Sequence, residues 1–112
     1  MLISNKNPFV SVVLTTFNRK KLLKETVDSI LNQTFTDFEL IVVDNYSNYD
    51  FMEYMKSFND DRIRFYQNRN DGVIAVNRNY AIRRSKGEYI AFCDDDDIWS
   101  MQKIELQVEQ VI

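Results

Sequence analysis

The sequence contains no histidine, one cysteine, one proline and two glycines. Without histidine there is no His-ligated zinc site, no Ser-His-Asp triad and no Cys-His pair. A single thiol, Cys93, cannot close an internal disulfide, so a reducing, cytoplasmic setting is expected. Gly72 and Gly87 are too few for a Gly-x-Gly-x-x-Gly turn after a first strand, and no Gly-Lys-Ser/Thr run exists, so the glycine-rich routes to phosphate are absent. A basic excess is missing as well. Fourteen Lys and Arg against 17 Asp and Glu leave a net charge of −3, which argues against a general nucleic-acid binder. Arg19-Lys20-Lys21 and Arg83-Arg84 fall on expected helices, where a solvated face accounts for them. Met1 to Pro8 is polar and lacks the apolar core of a signal peptide, and no apolar run reaches transmembrane length.

What is present is an ordinary globular composition: 112 residues, 45% hydrophobic and 28% charged, enough for one modest domain. Its organising stretch is Tyr89-Ile90-Ala91-Phe92-Cys93 running into Asp94-Asp95-Asp96-Asp97. The short apolar run after Gly87 reads as a buried strand, with the four carboxylates at its carboxyl end. Each close pair of like charges costs about 1–4 kcal/mol, depending on the effective dielectric. A divalent cation removes that cost, and an all-oxygen donor set suits Mg²⁺ or Mn²⁺. The competing account is a solvated acidic loop. Attachment to a core strand, with Ile98-Trp99 following, favours the cation.

Taken in order, Phe9-Val10-Ser11-Val12-Val13-Leu14 is a first buried strand that ends in Thr15-Thr16-Phe17-Asn18. Asn18 is the expected N-cap of a helix with Leu23, Val27, Ile30 and Leu31 on one face, failing near Asn32. Phe38 to Val43 is a second strand, apolar enough for burial on both faces, and it ends in Asp44-Asn45. A short helix over Asp50 to Phe58 turns Phe51, Met52, Met55 and Phe58 inward, and Ile63 to Tyr66 alternates as an edge strand would. A turn over Asn68 to Gly72 precedes a helix over 73–85, marked by Val76 and Tyr80, with Gly87 as a left-handed cap. Ser100 is the expected cap of a last helix carrying Ile104, Val108 and Val111. Strand and helix thus alternate four times, which implies an α/β domain with a mainly parallel sheet. Right-handed crossovers and a switch-point crevice favour strand order 3-2-1-4. The crevice would collect Thr15, Thr16, Asn18, Asp44, Asn45 and Asp94 to Asp97. Asp44 and Asn45 could bond a ribose or base edge there, or serve only their own turn.

The series Ser11 to Arg19, Ser29 to Phe35, Phe38 to Asp44, Asn79 to Ile82 and Gly87 to Asp97 resembles the start of family 2 glycosyltransferases, in order and spacing, from about Phe9 to Lys103. The resemblance implies a Rossmann-like GT-A three-layer sandwich, with residues 1–112 as its single, partial, nucleotide-sugar-binding half, truncated after the Asp-x-Asp motif. It implies an inverting transfer of a sugar from a nucleotide diphosphate sugar to a saccharide or lipid-linked acceptor, in surface polysaccharide or glycoconjugate synthesis. By residue, it assigns the metal to Asp94 and Asp96, and the nucleotide sugar to Thr15, Thr16, Asn18, Asp44, Asn45, Arg78, Asp94 and Asp95. The family commonly carries two aspartates after the second strand, and Asn45 stands in place of the second. The catalytic base is expected beyond Ile112, with the full-length protein cytoplasmic or peripheral to the inner membrane face. Two other readings remain at this point. Another metal-dependent phosphate-binding domain would need a further acid after the first strand, and Thr15-Thr16 supplies none. A non-catalytic module would self-associate through a bare sheet edge and through exposed Ile104, Val108 and Val111.

Overall fold

The computed structural model describes residues 7–112. Its elements are β1 (Val10–Thr16), α1 (Lys20–Leu31), β2 (Phe38–Asp44), α2 (Phe51–Lys56), β3 (Ile63–Gln67), α3 (Ile74–Arg84), β4 (Tyr89–Asp94) and α4 (Lys103–Val111). The strands form one sheet in the order β3-β2-β1-β4, and every pair is parallel. This is the expected order, in which the sequence of strands doubles back at β1 to place β4 on its other side.

Alternation along the strands sorts side chains between two layers. Val10, Val12 and Leu14 of β1 and Phe38, Leu40 and Val42 of β2 join Leu23, Val27 and Ile30 of α1, Phe51 and Met55 of α2, and Ile104 of α4 in the larger core. Val13, Ile41 and Val43 meet Ala81 of α3 on the opposite face. Each fully buried aliphatic side chain there contributes about 1.5–3 kcal/mol. On the α3 face, near the strand starts, the core gives way to polar groups. Glu39 accepts from Ser11 Oγ at 2.6 Å and from the Lys86 N–H at 2.6 Å, and pairs with Arg64 at 2.6 Å. Burial alone would raise the Glu39 carboxyl, but these donors outweigh it and hold the group below its ordinary value.

Several expectations are corrected. β4 is not buried on both faces but is the sheet's outer strand, with Phe92 52% exposed and Ile90 38% exposed. Those two pair with Val13 and Ser11 and so face the α3 side, but α3 packs over β1 and β2 and meets Phe92 through the Arg78 guanidinium, 5.6 Å from the ring centroid. Cys93, on the other face, is buried. Asn18 is not the helix cap. It takes a left-handed backbone (φ 53°), and α1 begins after Arg19. Gly87 is not a left-handed cap either. A Cβ there would lie 2.6 Å from the Ser11 N and Oγ, so glycine is required by close approach to β1. Gln102, not Ser100, precedes α4, and the Ser100 carbonyl accepts from Gln33 at 2.6 Å instead. On α3 the buried positions are Asn77 and Ala81, while Val76 is exposed; on α2, Met52 is exposed. Ile104 is buried, Val108 partly so, and only Val111 of that trio is exposed. No helix among the described residues is long and apolar enough to cross a membrane.

Candidate functional site

Parallel pairing brings three strand ends to one edge of the sheet: Thr16 stands opposite Asp44, and Thr15 opposite Asp94. Above that edge opens a cleft of about 500 Å³. Thr15, Thr16, Phe17 and Arg19 line it from the β1 end, and Asn45 from the β2 end. Asn70, Gly72, Ile74 and Arg78 contribute from the loop into α3, and Asp94, Asp95 and Asp96 from the β4 end. Seven of the nine residues that the resemblance assigns to metal or nucleotide sugar therefore share one cavity. The other two, Asp44 and Asn18, are absent from its lining.

The four aspartates divide into two kinds. Asp94, Asp96 and Asp97 are exposed, and one carboxylate oxygen from each lies within 4.8 Å of the others. Asp95 turns inward and is 8% exposed. It accepts from Thr16 Oγ1 at 2.9 Å, the Phe17 N–H at 3.3 Å and Arg19 Nη1 at 3.2 Å, while its carbonyl accepts from Thr26 at 3.0 Å. One acid of the run thus fastens the others to β1 and α1. The three exposed carboxylates form a hard, all-oxygen donor set, and that chemistry fits Mg²⁺ or Mn²⁺. Two guanidinium groups stand among them: Arg19 Nη1 lies 3.1 Å from Asp96, and Arg78 Nη2 lies 3.4 Å from Asp94. With every partner about half exposed, each pair contributes at most about 1 kcal/mol, so either arginine can exchange its carboxylate for another anion. Arg19 was read from the sequence as part of a solvated helix face. Its place directly after the polar end of β1 was the available signal.

Asp44 is fully buried and its carboxylate is committed locally. It accepts from the Ser47 N–H at 2.9 Å, from the Ser47 hydroxyl and from Gln67 Nε2 at 3.2 Å, fixing the loop after β2. Asn18 ties that loop to the one after β1: its N–H donates to Ser47 Oγ and its Oδ1 accepts from the Asn48 N–H, both at 2.8 Å. Asn45 Oδ1 accepts from the Asn70 N–H at 2.9 Å, which draws the loop before α3 to the cleft wall. Burial first, and then Asp97 and Asp94, push the Cys93 thiol up to about 12, so it stays protonated at neutral pH. A second cavity, of about 480 Å³ between β4 and α4, is walled by groups such as Tyr89, Ala91 and Val108, and no carboxylate lines it.

The family described as glycosyl transferase family 2 matches residues 11–112. WfgD of Escherichia coli, a UDP-Glc:α-D-GlcNAc-diphosphoundecaprenol β-1,3-glucosyltransferase, is 32% identical over 103 residues, covering 92% of this chain and 41% of that protein. Staphylococcus aureus TarS 1–349 in complex with UDP-GlcNAc superposes with a TM-score of 0.85 at 25% identity, over 92% of this chain and 31% of that one. The mannosyltransferase PcManGT of Pyrobaculum calidifontis, in complex with GDP-Man and Mn²⁺, shares the fold with a TM-score of 0.80 at 23% identity, over 94% of this chain and 32% of that one. The chain spans well under half the length of WfgD, and about a third of the two solved chains.

Proposed function

The chain belongs to glycosyl transferase family 2, and from that premise we propose that its cleft holds the nucleotide diphosphate sugar of an inverting sugar transfer. The observation that carries this reading is the meeting of hydroxyls, amides, two guanidiniums and an acidic cluster at the carboxyl edge of a parallel sheet. Thr15 and Asn45 face the nucleoside. Arg19 and Arg78 present cationic N–H groups to the diphosphate, orienting it and balancing the charge that grows on it as it leaves. Asp94 and Asp96, with Asp97 beside them, would hold Mg²⁺ or Mn²⁺, which when bound supplies Lewis-acid neutralisation of the leaving diphosphate. Asp95 takes no direct part and positions its neighbours. Among the described residues the only acids lining the cleft are Asp94, Asp95 and Asp96, all assigned to these tasks. The base that accepts the acceptor hydroxyl's proton is therefore proposed to come from outside this lining.

The process we propose is surface polysaccharide or glycoconjugate synthesis, with a saccharide or lipid-linked acceptor, in the cytoplasm or at the inner membrane face. WfgD, named for a diphosphoundecaprenol-linked acceptor, supports that choice. Calorimetry of the chain with UDP, GDP and dTDP, with and without Mn²⁺, tests the reading. Nucleotide binding that strengthens with Mn²⁺ is expected; binding indifferent to the metal, or none with any nucleotide, overturns it. The bare outer edge of β4, flanked by exposed Ile90 and Phe92, favours one further property, self-association of this stretch. Light scattering across protein concentration would show a rising mass; a constant monomer mass would end that idea.

A further inference from the structure

Thr26 and Ser29 of α1, with Gln33 just beyond its end, reach one stretch of backbone: the acidic turn and the chain leaving it. Their spacing of three and four residues sets them along one side of the helix. Thr26, fully buried, donates Oγ1 to the Asp95 carbonyl at 3.0 Å. Ser29 Oγ accepts from the Trp99 N–H at 3.1 Å. Gln33, buried as well, donates Nε2 to the Ser100 carbonyl at 2.6 Å and accepts from the Ile104 N–H at 3.0 Å. A hydroxyl inside a helix ordinarily turns back to its own helix, as Ser29 does toward the Thr26 carbonyl at 2.7 Å. Thr26 gives its hydroxyl to Asp95 instead.

The Asp97 N–H donates to the Asp94 carbonyl at 3.1 Å, which closes Asp94 to Asp97 into a turn with Asp95 at its second position. The peptide joining Asp95 to Asp96 is planar, so holding its carbonyl oxygen also sets where the Asp96 Cα stands. The Asp95 side chain is gripped separately, by Thr16, Phe17 and Arg19. Held by its side chain from the β1 end and by its carbonyl from α1, Asp95 leaves the turn one orientation. Without the Thr26 hydroxyl the peptide can swivel under an intact side-chain clasp, and the three exposed carboxylates, whose oxygens lie within 4.8 Å of one another, lose their spacing. We propose that α1 is the template of the acidic turn and that Thr26 is a positioning residue for the cation, fixing Asp96 relative to Asp94 through the Asp95 carbonyl. The inference rests on the reading of the cleft as a metal and nucleotide diphosphate site.

Thr26→Val removes the hydroxyl at nearly constant volume, and Thr26→Ser keeps it. Calorimetry of the chain and both variants with UDP and GDP, with and without Mn²⁺, gives for each protein the factor by which the cation strengthens nucleotide binding. That factor is expected to fall about tenfold in Thr26→Val, the usual cost of losing a group that orients a metal ligand, and to return in Thr26→Ser. A urea titration shows whether the valine variant is folded. If it is not, Ser29→Ala, which frees only the Trp99 N–H, is read in its place, with a fall in the same factor expected. An unchanged factor in the folded variant, an affinity lost equally with and without the ion, or a serine variant as impaired as the valine one overturns the template and leaves the nucleotide site standing. Failure of the unaltered chain to bind either nucleotide, or to respond to Mn²⁺, overturns the site and this inference together.

Discussion

Substituting Asp95 separates the acid that builds the site from those proposed to use it. One of its oxygens serves two donors, Thr16 Oγ1 at 2.9 Å and the Phe17 N–H at 3.3 Å, and the other serves Arg19 at 3.2 Å. In Asp95→Ala the Thr16 hydroxyl, on a residue 4% exposed, loses its acceptor without access to water, at a cost of about 1–3 kcal/mol. The Phe17 N–H adds about 1 kcal/mol, and Arg19, half exposed, adds little. The sum is about 2–4 kcal/mol. In Asp95→Asn the amide oxygen can keep both Thr16 and Phe17, and only the Arg19 contact is lost, at under about 1 kcal/mol. With a urea slope of about 1.5 kcal/mol per M, a loss of 3 kcal/mol lowers the midpoint by about 2 M, and a loss below 1 kcal/mol by about 0.5 M. Trp99, the single tryptophan and 7% exposed, reports unfolding by fluorescence from within the same core. Equal shifts for the two variants, or an alanine shift below about 0.5 M, would refute the claim that Asp95 is the clasp.

Asp96→Ala is expected to leave the urea midpoint within the equivalent of about 0.5 kcal/mol, because its carboxylate is half exposed, while removing the Mn²⁺ dependence of nucleotide binding seen by calorimetry. Glu39 sits below its ordinary value of 4.5, so the unfolded chain binds its proton first as pH falls. The stability it contributes is present above about pH 4.5 and disappears as pH falls through the folded value; Glu39→Gln should flatten that part of a urea-midpoint profile between pH 7 and pH 3. Gly87→Ala forces a methyl to 2.6 Å from Ser11 and should lower stability by about 1–3 kcal/mol on urea titration, because both neighbours at that point are held in the sheet.

Local pattern carried most of the architecture. Val12 to Leu14 and Leu40 to Val43 are apolar on consecutive positions, as burial on both faces requires, and both lie on central strands. The Tyr89 to Cys93 run looks the same in sequence and is an outer strand, because coverage depends on where α3 lands rather than on the strand's own residues. Asn18 and Gly87 were misread for a related reason. Asn18 has a capping side chain, but its bonds go to Ser47 and Asn48 in the loop after β2. Gly87 follows a helix, as caps do, but its constraint comes from Ser11, far off in the chain. In the candidate site, residue type and strand-end position were enough to gather Thr15, Thr16, Asn45, Asp94, Asp95 and Asp96, and the family resemblance added Arg78.

Residue pattern alone specified the alternation of strands and helices, the parallel order with its switch point, and the chemistry of an oxygen-rich, histidine-free, glycine-poor site. Those properties follow from periodicity and composition, which act over a few residues. Long-range contacts set which acid of four faces inward, which atom of Asn45 meets Asn70, and the place of Arg19 among the carboxylates. Each depends on a partner between 25 and 79 positions away, and no local pattern encodes the orientation that such a partner imposes.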